Sequence, residues 1–248
     1  MGHLYDERFM DYTDRSSRHA ARRIIDLLAP ALKPASVLDI GCARGTWLSE
    51  WAMLGNMDIA GVDGDYVDRA ALAISRDAFT SADLSQPLDL GRPFDLVQSL
   101  EVAEHIPASA ADTFVANIAR HSRGLVLFSA APPGQGGEFH VNEQPYDYWR
   151  DKFAARGFDA YDCIRPQIAG DASISFWYRF NLLLYVHRDH AGALPPEIAV
   201  ARIPDGTPVT DVSPPVFRLR KAVVSRLPYA LQQTLARFKA RVLPSGRF

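Results

Sequence analysis

The sequence predicts an α/β fold: a doubly wound, mostly parallel seven-stranded sheet with an antiparallel last strand and a C-terminal helical tail. Three observations predict it. Short apolar runs alternate with segments of helical spacing, which implies parallel β-α-β units. A glycine-containing turn, Gly41 to Gly45, follows directly on the first run. Two extended runs then succeed one another near residues 158–187, which suits an antiparallel closing hairpin at a sheet edge.

The elements follow in order. Residues 16–29 form a helix, with Ala20, Ile24, Leu27 and Leu28 on one face and Pro30 and Pro34 ending it. Strands are expected at 36–40, 58–62, 78–82, 94–99 and 124–129, and helices at 46–54, 66–75, 109–121 and 146–155. The closing strands are 158–164 and a long one at 173–187. Residues 1–190 are read as one domain. Prolines at 195, 196, 204, 208, 214 and 215 mark a linker over 191–215, and 216–248 form the tail.

The 248 residues are 48% hydrophobic and 23% charged, with a formal net charge of −2, which suits a globular domain and gives no general attraction to nucleic acid. The two cysteines supply neither a disulfide framework nor a zinc pair. With no secretory leader and no spanning run evident, a cytoplasmic protein is expected. The tail alone is strongly basic: Arg237, Lys239 and Arg241 flank Leu231, Leu235, Phe238 and Val242 at helical spacing. Such a helix can lie on an anionic membrane surface, here the inner membrane, or pack on its own domain or a partner.

Ligands of such sheets bind beyond the carboxyl ends of the strands. The spacing Gly41-x-Ala43-x-Gly45 differs from the pyrophosphate loop, and Asp39 before it would repel phosphate but attract an ammonium. A cofactor with a cationic amino-acid end is therefore expected. Asp63, ending the second strand, is placed for ribose hydroxyls. Asp83, ending the third, is placed for an adenine amino group, with Leu84 covering the ring.

Segments 37–45, 62–64, 82–84 and 94–99 resemble the successive motifs of class I S-adenosylmethionine-dependent methyltransferases, across about residues 16–187. The resemblance implies a Rossmann-like fold and S-adenosylmethionine as methyl donor. It implies that Asp39, Gly41, Ala43 and Gly45 line the methionine end, that Asp63 and Gly64 hold the ribose, and that Asp83, Leu84 and Ser99 complete the cofactor site. Ala43 departs from the family, which more often has Gly there.

The loops after the fourth and fifth strands, Glu101 to Pro107 and Ala131 to Trp149, should open on the same edge. The second is long and rich in Gly, His and amides, as a binding loop would be. If the acceptor is a hydroxyl, a base of near-neutral pKa must take its proton, and His140 and His105 are the candidates. Glu101, Glu104, Gln135, Asn142, Glu143, Tyr148 and Trp149 are expected to line the acceptor site. No ligand spacing argues for a metal. The combined motifs around residues 101–105, 128–131, 134–137, 140–144 and 148–149 resemble a bacterial group found with surface-polysaccharide genes, which implies O-methylation of a sugar or glycan precursor. The alternatives are N-methylation of a small molecule or amino sugar, and a non-catalytic S-adenosylmethionine-binding partner of a membrane-associated glycan assembly. A nucleic-acid methyltransferase is disfavoured, because Ser99-Leu-Glu101 stands where base-methylating enzymes carry an Asn/Asp-Pro-Pro-Tyr/Phe sequence.

Overall fold

The computed structural model describes residues 7–228, 230, 231, 234 and 235, with side chains from Ser17 onward. One seven-stranded sheet runs in the order β3-β2-β1-β4-β5-β7-β6. Its strands are β1 (Ser36–Ile40), β2 (Asp58–Asp63), β3 (Phe79–Ser81), β4 (Phe94–Leu100), β5 (Ser122–Ser129), β6 (Phe158–Tyr161) and β7 (Leu183–His187). Neighbours from β3 through β5 are parallel, and β7 is antiparallel to both β5 and β6. This is the expected doubly wound sheet.

Both faces are covered, as near-continuous apolar strands require. Consecutive strand residues point to opposite faces. Val37, Leu96, Leu125 and Leu184 pack with α1 (Glu7–Leu32) and α2 (Thr46–Ala52). Their neighbours Leu38, Val97, Val126 and Tyr185 pack with α3 (Ala111–His121) and α4 (Tyr146–Ala154).

Four segments differ from the sequence expectation. The first helix starts at Glu7 and carries Pro30 within its last turn, where only one intrahelical bond is forfeited. Residues 66–75 are turns rather than a helix. The Ala73 N–H donates to the Arg44 carbonyl at 2.8 Å, so the segment is tied across to the Gly41–Gly45 loop instead of to its own preceding turn. Strand β6 stops at Tyr161 and gives way to the short helix α5 (Arg165–Ile168). The long strand expected at 173–187 is split into α6 (Phe176–Asn181) and β7. A strand would put alternate aromatics on two faces; the helical turn instead sends Tyr178 to Ser17 and Trp47, and Phe176 and Phe180 to Phe217.

The proline-rich stretch runs along the outer edge of β6. It contains the short helix α7 (Pro196–Ala199); Ile203 N–H donates to Ala160 O, and Arg165 reaches the Thr210 carbonyl. It leads into α8 (Pro215–Val224), which is fixed by the Phe217 contacts and a Lys221–Asp211 ion pair at 2.6 Å. Among the tail residues read as amphipathic, those from 236 onward lie outside the described residues. No described helix is long and apolar enough to cross a membrane.

Candidate active site

The loop from β1 to α2 is built on backbone bonds to β2: Gly41 and Cys42 N–H both donate to Val62 O, at 2.8 and 3.2 Å. Gly41 has φ +91°, and a Cβ there would stand 2.4 Å from a Val102 methyl. The loop after β4 therefore packs directly on this turn. Ala43 is also left-handed, at φ 48°. Its N–H donates to Asp63 Oδ2 at 2.6 Å, which explains why the turn persists without glycine there.

Asp39 and Asp63 are 3% and 4% exposed. Asp39 accepts a hydrogen bond from Gln98 Nε2 at 2.8 Å. Burial pushes its pKa up to about 7, opposed by the Gln98 bond and reinforced by the charge of Asp63. A buried carboxyl poised near neutrality gains strongly from an ammonium beside it. Asp63 accepts from the N–H groups of Ala43 and Gly64 and from the Tyr66 hydroxyl; burial still raises its pKa. These residues fit a cofactor carrying a cationic amino-acid end and a ribose.

The other expected cofactor residues divide. Asp83 is exposed, and its Oδ1 accepts from Ser85 N and Oγ at 2.9 and 2.6 Å, which holds its pKa low. Leu84 is buried with Leu38 and Val62. Ser99 is fully buried and donates to Ile40 O at 2.7 Å. Its hydroxyl fastens β4 to β1, which corrects the expectation that it contacts cofactor.

At the ends of β4 and β5, four residues from four elements form one buried network. Glu101, left-handed at φ 57°, accepts from Asn181 Nδ2 at 3.0 Å and Gln135 Nε2 at 2.8 Å. Asn181 also donates to Gln135 Oε1, and Tyr146 donates to Asn181 Oδ1 at 2.9 Å. Burial raises the Glu101 pKa while the amide donors oppose the rise.

Beside it stands the histidine pair. His140 Nδ1 lies 2.7 Å from Glu143 Oε1, and its Nε2 lies 3.9 Å from Glu104 Oε1. Glu143 is anchored by Gly134 and Gly136 N–H at 2.7 and 2.8 Å. The His105 ring meets His140 edge-on, centroids 4.8 Å apart. Glu104 is 1% exposed, and among the described residues neither carboxylate oxygen has a hydrogen-bond partner. Burial and the charge of Glu101 hold its pKa well above the usual range. The Glu104 carbonyl accepts the N–H groups of Val141 and Asn142, which draws the two loops together. As a result Glu104, His105 and His140 offer donor atoms within 4.8 Å of one another, a grouping able to take a cation that sequence spacing did not reveal.

The structure does not bring all the expected acceptor residues here. Trp149 is 1% exposed with its ring against Phe128, so α4 directs it into the core. Tyr148 is half-buried under the Lys152 ammonium. Asn142 is buried, accepting from Gln144 and leaving its Nδ2 without a partner among the described residues. Near the N-terminus, Arg18 is held by Glu50 at 2.6 Å. Sequence reasoning missed Asn181 and Tyr146. Asn181 was hidden inside a run read as strand; a polar side chain interrupting an apolar run was the available signal. Gln98 was missed for the same reason.

The methyltransferase-domain family matches residues 12–163. No curated protein matches the sequence. Among solved structures, the chain is similar to the sugar N-methyltransferase KedS8 from Streptoalloteichus sp ATCC 53650. Identity is 19%, with 76% of this chain and 94% of that one covered, and the TM-score is 0.56. It is similar to magnesium protoporphyrin IX methyltransferase from Synechocystis PCC 6803, bound to S-adenosylhomocysteine: 18% identity, coverage 75% and 90%, TM-score 0.53. DesVI from Streptomyces venezuelae is similar at 16% identity, coverage 75% and 99%, and TM-score 0.52. At these identities the solved structures speak for the fold, and the family match for the activity. The chain belongs to the methyltransferase-domain family and is an S-adenosylmethionine-dependent methyltransferase.

Proposed function

We propose that the enzyme methylates a hydroxyl of a sugar or glycan precursor, in the cytoplasm and within surface-polysaccharide synthesis, with His140 taking the proton. The observation that carries the reading is the Glu143–His140 pair, partly buried beside an amide-rich network. When bound, the cofactor supplies an electrophilic methyl group on a sulfonium. Asp39 and Asp63 would hold its amino-acid and ribose ends, with Asp83 at the exposed rim. Glu143 on Nδ1 orients the imidazole, so that Nε2 is the nitrogen that accepts the hydroxyl proton. Asn142, whose Nδ2 has no partner among the described residues, offers an amide donor of the kind that selects a polyhydroxylated acceptor, while Gln135 and Asn181 hold Glu101 beside it. Burial keeps water from competing.

His140→Ala is expected to lower turnover by about 10²-fold or more, with S-adenosylhomocysteine affinity within about twofold of wild type on the same grounds. Unchanged turnover with sugar hydroxyl acceptors would sink the base assignment. It would favour N-methylation of an amino sugar, because a neutral amine already carries its lone pair. A second reading rests on the Glu104 oxygens, which have no hydrogen-bond partner among the described residues: a divalent cation held by Glu104, His105 and His140 would activate the hydroxyl by direct coordination. Glu143 would then orient a ligand rather than a base. Turnover unaffected by a strong chelator excludes the cation; turnover lost on chelation and restored by one added metal replaces the base mechanism.

A further inference from the structure

Helix α8 is apolar on two sides. One side, with Phe217, Arg220 and Lys221, packs on the domain. The other carries Val216, Leu219 and Val223, spaced to share one face and 68%, 67% and 54% exposed. Leu231 and Leu235 add further exposed apolar surface at 44% each. A helix that only covers its own domain has no use for a second apolar face, because burial of the first is what holds it in place.

The charge around this face is of one sign. From Pro214 to Phe248 the chain has eight Arg and Lys and no Asp or Glu, within a protein of net charge −2. Arg218 and Arg226 flank the apolar stripe, and both are exposed. Among the described residues no carboxylate pairs with either; they reach only the carbonyls of Asp211 and Ala222. An apolar stripe bordered by cations matches an anionic lipid surface, into which the apolar residues insert while guanidinium groups stay among the headgroups.

We propose that α8 docks the enzyme on an anionic lipid surface through Val216, Leu219 and Val223, with Arg218 and Arg226 at the headgroups. The inner side of the same helix forms part of the acceptor loop's support. Arg220 donates to the Gln135 carbonyl at 3.2 Å. The Lys221 carbonyl lies so close to Gly134 that a Cβ there would stand 2.1 Å away. Docking therefore sets the Gly134–Glu143 loop beside the membrane and delivers acceptors carried in the lipid. That last step rests on the acceptor reading above; the docking itself does not.

The test is co-sedimentation of the full chain with phosphatidylcholine vesicles, with and without phosphatidylglycerol. Binding is expected only to the anionic vesicles, weakened by added salt. A Leu219→Asp/Val223→Asp variant should lose binding by about tenfold or more, and an Arg218→Gln/Arg226→Gln variant by a smaller factor. S-adenosylhomocysteine affinity, read by calorimetry, should match wild type in both, which separates this result from failure of the acceptor reading. Absence of binding to anionic vesicles, or binding that both variants retain, overturns the proposal. So does a wild-type dimer that the Asp variant converts to monomer without change in vesicle binding, which would assign the face to a second copy.

Discussion

Asp39 couples the cofactor site to pH. Its folded-state pKa, about 7, stands above the unfolded carboxyl value of roughly 3.9. Between these values the folded chain holds a proton that the unfolded chain has lost. Without ligand, stability contributed at this site is therefore full below about 3.9 and falls as the pH rises toward about 7. Ligand binding has the opposite slope, since an ammonium is attracted only to the ionised form. S-adenosylhomocysteine affinity should rise as pH increases through about 7 and flatten above it. Calorimetric titration across that range checks this, and Asp39→Asn should bind weakly with the slope gone. A wild-type affinity that is level through neutrality would remove the ammonium contact from Asp39. Four residues along, Ala43 holds a left-handed conformation that costs an L-residue about 1–2 kcal/mol. Its bond to Asp63 offsets that cost.

At the scale of elements, the junction of α1 with α2 hangs on Glu50. Its side chain is 3% exposed and accepts from Arg18 and Arg22, both at 2.6 Å. Hydrogen bonds to charged groups contribute about 1.5–3 kcal/mol each, and half-exposed arginines reduce that value. Glu50→Ala should cost about 2 kcal/mol on that basis, lowering Tm by roughly 4–8 °C for a chain of this size. A Tm within about a degree of wild type would show that packing alone holds the helices together. These two helices were legible because Ala20, Ile24 and Leu28 recur with helical period and bury as a stripe. The strands were legible for the same kind of reason. Residues 66–75 were not, because what shapes them is a hydrogen bond to Arg44, a partner distant in sequence. The site was partly legible: Asp39, Asp63, Glu101, Glu104 and His140 are chemistry-bearing residues at strand ends or in the loops that follow them. Asn181 reaches the site only through the split of 173–187, which local pattern does not encode.

Across the whole molecule, the sheet order joins distant parts of the chain into one surface. The loops after β1, β2, β4 and β5 open along one edge, with α6 and α8 closing it from the far end of the sequence. The segment beyond β7 is thus bonded to the catalytic half at Ala160, Asp147 and Gln135.

The position of β7 has a consequence for how the chain is made. Strand β6 pairs with β7 alone among the described strands, and β7 separates it from β5. During synthesis β6 is finished first and has no place in the sheet until residues 183–187 arrive. The five parallel strands can assemble beforehand, exposing the β5 edge, a template for wrong pairing. In pulse-labelled refolding, amides of Phe158–Tyr161 should gain protection no earlier than those of Leu183–His187. Earlier protection of β6 would mean that the two strands form a hairpin in advance and dock together. Either way, the last strand threaded into the sheet decides when the enzyme acquires a finished edge.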